Sequence, residues 1–139
     1  MTSDSFSNVI KAYAGDVSDL QESHTSTYYF TDDGTGTWKP NNKGVDSSNA
    51  TSTWTISDNV NVYYTYYWTV SSESSYDKLT ISANSTNQVS NKSGTDYGTI
   101  TGYSADGLTI QATYYKDTSR SSGSDQGTIE FRGLWYFVD

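Results

Sequence analysis

The run VNVYYTYYWTV, Val60 to Val70, leaves this chain few choices of fold. Its β-branched and aromatic side chains fit a pleated, half-buried surface and gain little from a helix. At the paired tyrosines the alternation changes phase, which predicts either a strand covered on both faces or a bulge. Similar but shorter runs recur along the chain: TSTWTI, KLTISA, GTITGY, GLTIQATYY, GTIEFRG and LWYFV. They are separated by clusters of Asp, Asn, Ser and Gly, the residues that close turns.

Near the N-terminus, VIKAYAG and TSTYYF read as further strands, DVSDLQES as loop or one helical turn, and MTSDSFSN (residues 1–8) as a polar tail. The Asp-Gly of TDDGTGTW predicts a tight turn, the DN pair before Val60 a second, and KPNNKG a loop around the sole proline. No segment supports a long helix, and no repeat has a solenoid or propeller period. The expectation is an all-β fold: one antiparallel, jelly-roll-like β-sandwich of about nine strands over residues 9–139.

At 139 residues the chain can bury roughly two-thirds of its unfolded surface in one domain. Its net charge of −8 and lack of any Lys/Arg cluster disfavour nucleic acid and anionic membranes as partners. No apolar run reaches the length of about 18 residues that a spanning helix needs. No basic-then-apolar leader precedes the first strand, so the chain is expected to begin after any such signal. The absence of cysteine removes disulfides, thiolate catalysis and Cys-type zinc sites. A composition rich in Ser, Thr, Asn and Tyr resembles that of bacterial surface or phage-tail modules. It points to an extracellular, cell-surface or virion location within a larger multidomain protein.

Catalysis has little to draw on. His24 is the sole histidine, no Gly-x-Ser-x-Gly elbow is present, and a surface role for His24 is expected. A pair of carboxylates could hydrolyse glycosides only across a cleft, which the sequence does not show. The chain is therefore expected not to be an enzyme. Oxygen donors for a hard cation are more plentiful: Glu73 and Asp77 lie in SSESSYDKLTI, Asp117 and Asp125 in YYKDTSRSSGSDQG. Loops at one end of a sandwich converge, and calcium accepts six to eight carboxylate, carbonyl and water oxygens.

The ordered set Trp54, Glu73, Tyr76, Asp77, Leu79, Ile81, Asp117, Ser119 and Gly127 resembles the pattern of CUB domains, extracellular β-sandwich modules of complement proteases and developmental metalloproteases. The similarity spans roughly residues 37–132 and includes a Pro-Asn loop before the tryptophan strand; unlike the family, the chain has no cysteine. The resemblance implies a calcium ion held by Glu73, Asp77 and Asp117, with a carbonyl near Ser119, and Tyr76 ordering the loop. It also implies adhesion to, or recognition of, a protein or glycan ligand on a cell surface.

Two alternatives stand beside that reading. A carbohydrate-binding module would stack sugars on exposed aromatic rings, with Trp38 and Tyr97, near turns, as the best candidates. Asp125 and Tyr76 are further candidate ligand contacts. A structural stalk of an adhesin would need no ligand. Asn49, Asn84 and Asn91 match the glycosylation pattern, and a Lys–Asn crosslink through Lys39 or Lys78 is conceivable, with no spacing to choose a pair.

Overall fold

The computed structural model describes residues 16–56, 60–118 and 125–138, with side chains up to residue 135. The expected tail, the VIKAYAG strand, the DN turn, Ser119 and the Tyr136 side chain lie outside that description.

Among the described residues, a capped 3-10 turn (Val17–Asp19) leads into ten strands: β1 (Gln21–Ser23), β2 (Phe30–Asp32), β3 (Thr37–Pro40), β4 (Ser48–Ile56), β5 (Val60–Ser71), β6 (Lys78–Ala83), β7 (Thr86–Lys92), β8 (Thr95–Ser104), β9 (Leu108–Lys116) and β10 (Gln126–Val138). They form two five-stranded sheets in the orders β1-β4-β9-β6-β7 and β2-β3-β10-β5-β8, with antiparallel ladders throughout. The β-sandwich expected from the alternating runs is therefore the fold.

Alternation decides which side chains fill the space between the sheets. Ala50, Trp54 and Ile56 of β4, Ile110, Ala112 and Tyr114 of β9, and Leu79 and Ile81 of β6 point inward from the first sheet. Val62, Tyr64, Tyr66, Trp68 and Val70 of β5 answer them from the second, with Phe30, Ile129 and Leu134. Trp54 is the hub. Its indole meets Phe30, Trp38 and Phe131 edge-on, with centroids 5.9, 5.4 and 5.2 Å away.

Four expectations need correction. The phase of β5 does not break at its tyrosines: Tyr63 and Tyr67 face out, Tyr64 and Tyr66 in, and alternation runs through both pairs. The bulge lies instead on its partner, β10, between Phe131 and Gly133. That extra residue, Arg132, makes one continuous strand read as two, GTIEFRG and LWYFV. TSTYYF is strand only from Phe30, with Tyr28 making an isolated bridge to Ala50. TNQVSNK, too polar to read as strand, forms β7 because it is a sheet edge that buries only Val89.

The inward positions of β8 include Gly98 and Gly102, and the large rings of β5 occupy the space they leave. A Cβ on Gly102 would sit 2.3 Å from the Tyr64 hydroxyl oxygen, and one on Gly98 3.0 Å from the Trp68 indole nitrogen. The Tyr64 hydroxyl accepts a hydrogen bond from Gln88 at 2.8 Å, so its ring has a fixed place. Gly102→Ala is therefore expected to destabilise the fold by about 1–3 kcal/mol, the usual cost of overpacking. Chemical denaturation followed by tryptophan fluorescence would measure it.

Candidate functional site

Two arrangements stand out, one buried and one exposed. The buried one begins with β9, whose inward-facing series Leu108, Ile110, Ala112 and Tyr114 ends in a lysine. Lys116 is 1% exposed. Its Nζ lies 2.6 Å from Asp125 Oδ1 and 3.3 Å from Asp77 Oδ2. Asp125 Oδ1 also accepts from the Tyr114 hydroxyl at 2.9 Å, and Asp125 Oδ2 accepts from the Gly44 amide at 2.8 Å. Asp77 Oδ1 accepts from the Asp117 amide at 3.1 Å.

Local structure fixes each partner. The turn Glu73–Asp77 is closed by the Tyr76 and Asp77 amides donating to the Glu73 carbonyl, and the Ser72 hydroxyl donates to the Asp77 carbonyl at 2.8 Å. The KPNNKG loop is held by buried Asn42, whose side-chain amide donates to the Ser48 hydroxyl and the Tyr114 carbonyl. That anchoring presents the Gly44 amide to Asp125.

The electrostatics follow from burial and pairing. Burial alone pushes the Lys116 pKa down, but its hydrogen bond to Asp125 and the charges of Asp125 and Asp77 outweigh this, and the net displacement is upward. Burial also raises the Tyr114 pKa, and its bond to Asp125 raises it further, so the phenol remains a donor.

This cluster is where the expected calcium ligands fall, and the residues do not fit the ion. Asp77 turns both oxygens to donors, one of them the Lys116 ammonium, and Asp117 meets Asp77 through its backbone amide. Glu73 contributes its carbonyl to the turn. A protein cation already bridges the two carboxyl groups, so a dication would have to displace it from a 2.6 Å bond. Among the described residues no three His, Cys, Asp or Glu side chains are grouped to hold a metal. Asp125 is a buried partner of Lys116 and Tyr114, out of reach of an external ligand, while Tyr76 is exposed on its turn.

The exposed arrangement lies on the outer face of the second sheet. Register places Tyr103 of β8 opposite Tyr63 of β5, and Tyr63 opposite Trp135 of β10. All three are exposed, at 51%, 42% and 45%. The Tyr63 and Tyr103 rings are 4.6 Å apart and tilted by 38°. The Tyr103 hydroxyl donates to Asn61 Oδ1 at 3.0 Å, which holds that ring in place. Next to the row, Gly133 is what lets the indole lie against the sheet: a Cβ there would fall 2.3 Å from the far edge of the Trp135 ring.

Further along the same face Tyr67 carries the Arg132 guanidinium over its ring at 4.2 Å and lies 6.3 Å from Tyr97. Arg132 is paired to Glu130 at 2.6 Å, and a shallow depression of about 270 Å³ beside them is lined by Asp33, Lys39, Thr69 and Gln126 among others.

Of the aromatic candidates, Tyr97 is exposed, at 68%, as expected. Trp38 is half-buried rather than fully exposed, and lines a depression with Val17, Leu20 and Phe131. It shares the inward face of β3 with Pro40 and packs on Trp54. Tyr103 was missed, although the outward phase it shares with Tyr97 along YGTITGY was available as a signal. His24 is a surface residue, stacked on Tyr29 at 3.6 Å and bonded to Glu22 at 2.8 Å. Lys39 pairs with Asp33 at the surface and Lys78 is half-buried, so neither is the core lysine.

No family model matches the chain, and no curated protein does. Among solved structures, it superposes on the secreted serine protease VesC from Vibrio cholerae with a TM-score of 0.50 at 12% identity. That alignment covers 97% of this chain and 27% of VesC, so the chain spans about a quarter of that protein. At such identity the likeness is one of fold. CBM35 from Paenibacillus barcinonensis aligns with a TM-score of 0.38 at 16% identity, over 82% of this chain and 91% of that one, too loosely to add to the assignment.

Proposed function

We propose that the chain is a non-catalytic glycan-recognition module of a secreted or surface-exposed protein, and that it binds polysaccharide along the outer face of β8, β5 and β10. The observation that carries this reading is the cross-strand row Tyr103–Tyr63–Trp135. Rings on three neighbouring strands span about 10 Å, given strand spacings near 4.8 Å, the scale of two linked pyranose units. Aromatic faces pack on the apolar faces of such rings, and rigid Tyr and Trp anchors lose little entropy on binding. Threonines flank the row at 65 and 101 on the same face, and offer hydroxyls to the sugar edge.

The charge of −8 selects among glycans. It repels polyanionic polymers, so neutral or amino-bearing polysaccharides are the expected class. A calcium-stabilised adhesion module of CUB type has less support, because the Lys116 ammonium already engages Asp77, one of the carboxyl groups such a site would use.

Binding to insoluble neutral polysaccharides and to a glycan array tests the reading. Trp135→Ala and Tyr63→Ala are each expected to weaken binding at least about tenfold, or 1.4 kcal/mol, without lowering the melting temperature. Absence of any glycan signal from the wild-type chain, or binding indifferent to both substitutions, would count decisively against it.

A further inference from the structure

We propose that Lys116 and Asp125 become joined by an intramolecular amide bond, formed inside the folded sandwich with Asp77 as the proton carrier. Three observations converge on it. The Lys116 nitrogen is fully buried and 2.6 Å from one oxygen of the Asp125 carboxyl group. A second carboxyl group, Asp77, touches the same nitrogen at 3.3 Å. Both Asp125 oxygens face donors, Gly44 N–H on Oδ2 and Tyr114 O–H on Oδ1.

The step balances without any outside reagent. Lys116 Nζ passes one proton to Asp77 Oδ2, and its freed electron pair forms the N–C bond at Asp125 Cγ. Charge gathers on Oδ2, where the Gly44 amide stabilises it, as a backbone donor does in an oxyanion hole. The Cγ–Oδ1 bond then breaks. Oδ1 leaves as water, taking the proton returned by Asp77 and a second from the nitrogen, while the third stays on the amide. Ammonium and carboxylate become amide and water, and Asp77 ends as it began. The Tyr114 hydroxyl supports the departing oxygen.

In water the same condensation is unfavourable, but two features of the core reverse the balance. Holding the reacting groups in contact replaces a bimolecular encounter by an intramolecular one, with effective molarities of about 10⁵ M or more. The product also removes two buried charges, whose desolvation opposes the ion pair. Asp125 is assigned over Asp77 as the acceptor because it is the nearer, and because both its oxygens are held by neutral donors from other parts of the chain.

The test is the intact mass of the full chain measured under denaturing conditions. The expected mass is that of the sequence less one water, with a branched proteolytic peptide joining the end of β9 to the segment around Asp125. Asp125→Ala and Asp77→Ala are expected at their full sequence mass, with circular dichroism checking that each is still β-rich. A wild-type chain at full sequence mass after prolonged incubation at neutral pH would overturn the proposal, whatever the variants do. So would a branch mapped to any other pair.

Discussion

Asp125→Ala is expected to destabilise the fold by about 3–5 kcal/mol, the range seen when one partner of a buried ion pair is removed. The substitution removes the 2.6 Å partner of Lys116, and strips the acceptor from the Tyr114 hydroxyl and the Gly44 amide together. Each donor left unsatisfied in the core costs about 1–3 kcal/mol. Asp125→Asn keeps an acceptor for Gly44 and is expected to lose markedly less. Urea unfolding of both variants gives the comparison; a loss below about 1 kcal/mol for alanine would mean that the cluster is wetter than its burial indicates. Where the Lys116–Asp125 amide has formed, alanine removes that tie as well, which adds to the loss.

Trp54→Ala is the other large effect, expected at about 3–5 kcal/mol. The indole is completely buried between the sheets and is the common neighbour of Phe30, Trp38 and Phe131, so truncation opens a cavity that touches both layers. Its indole N–H has no hydrogen-bond partner among the described residues. Trp54→Phe, which deletes that N–H and keeps most of the ring contact, is expected to cost less than half as much as alanine. Calorimetric melting of the pair separates volume from polarity: equal losses would show that the indole's full width, and not aromatic filling as such, sets the packing.

The sandwich was legible because the inward and outward phases of β4, β6 and β9 alternate without interruption. β10 was not, because the bulge at Arg132 shifts its parity and Gly133 marks the shift like a turn. The loop around Asp77 drew notice for its carboxylates, and two of the flagged residues, Asp77 and Asp125, do meet at one centre. The group between them in the structure is the Lys116 ammonium. Lys116 continues the inward series of GLTIQATYYK, so period two alone assigns a lysine to the core, and a lysine there demands acidic partners. Trp38 shows the opposite failure. Proximity to a turn suggested exposure, but packing on Trp54 leaves the Trp38 ring half-buried.

The glycines of β8 bear on how this surface can change over time. Because Gly98 and Gly102 accommodate rings that belong to β5, the strand adds one large apolar side chain of its own to the core, the partly buried Ile100. Positions 95, 97, 99, 101 and 103 are thereby uncoupled from packing, and substitutions at such exposed sites usually stay within about 0.5 kcal/mol. Selection can rewrite what this strand displays, residue by residue, while the interior keeps its shape. Variation among diverging descendants should accumulate on that stripe, and a library randomised there would yield altered binding preferences in proteins that still fold.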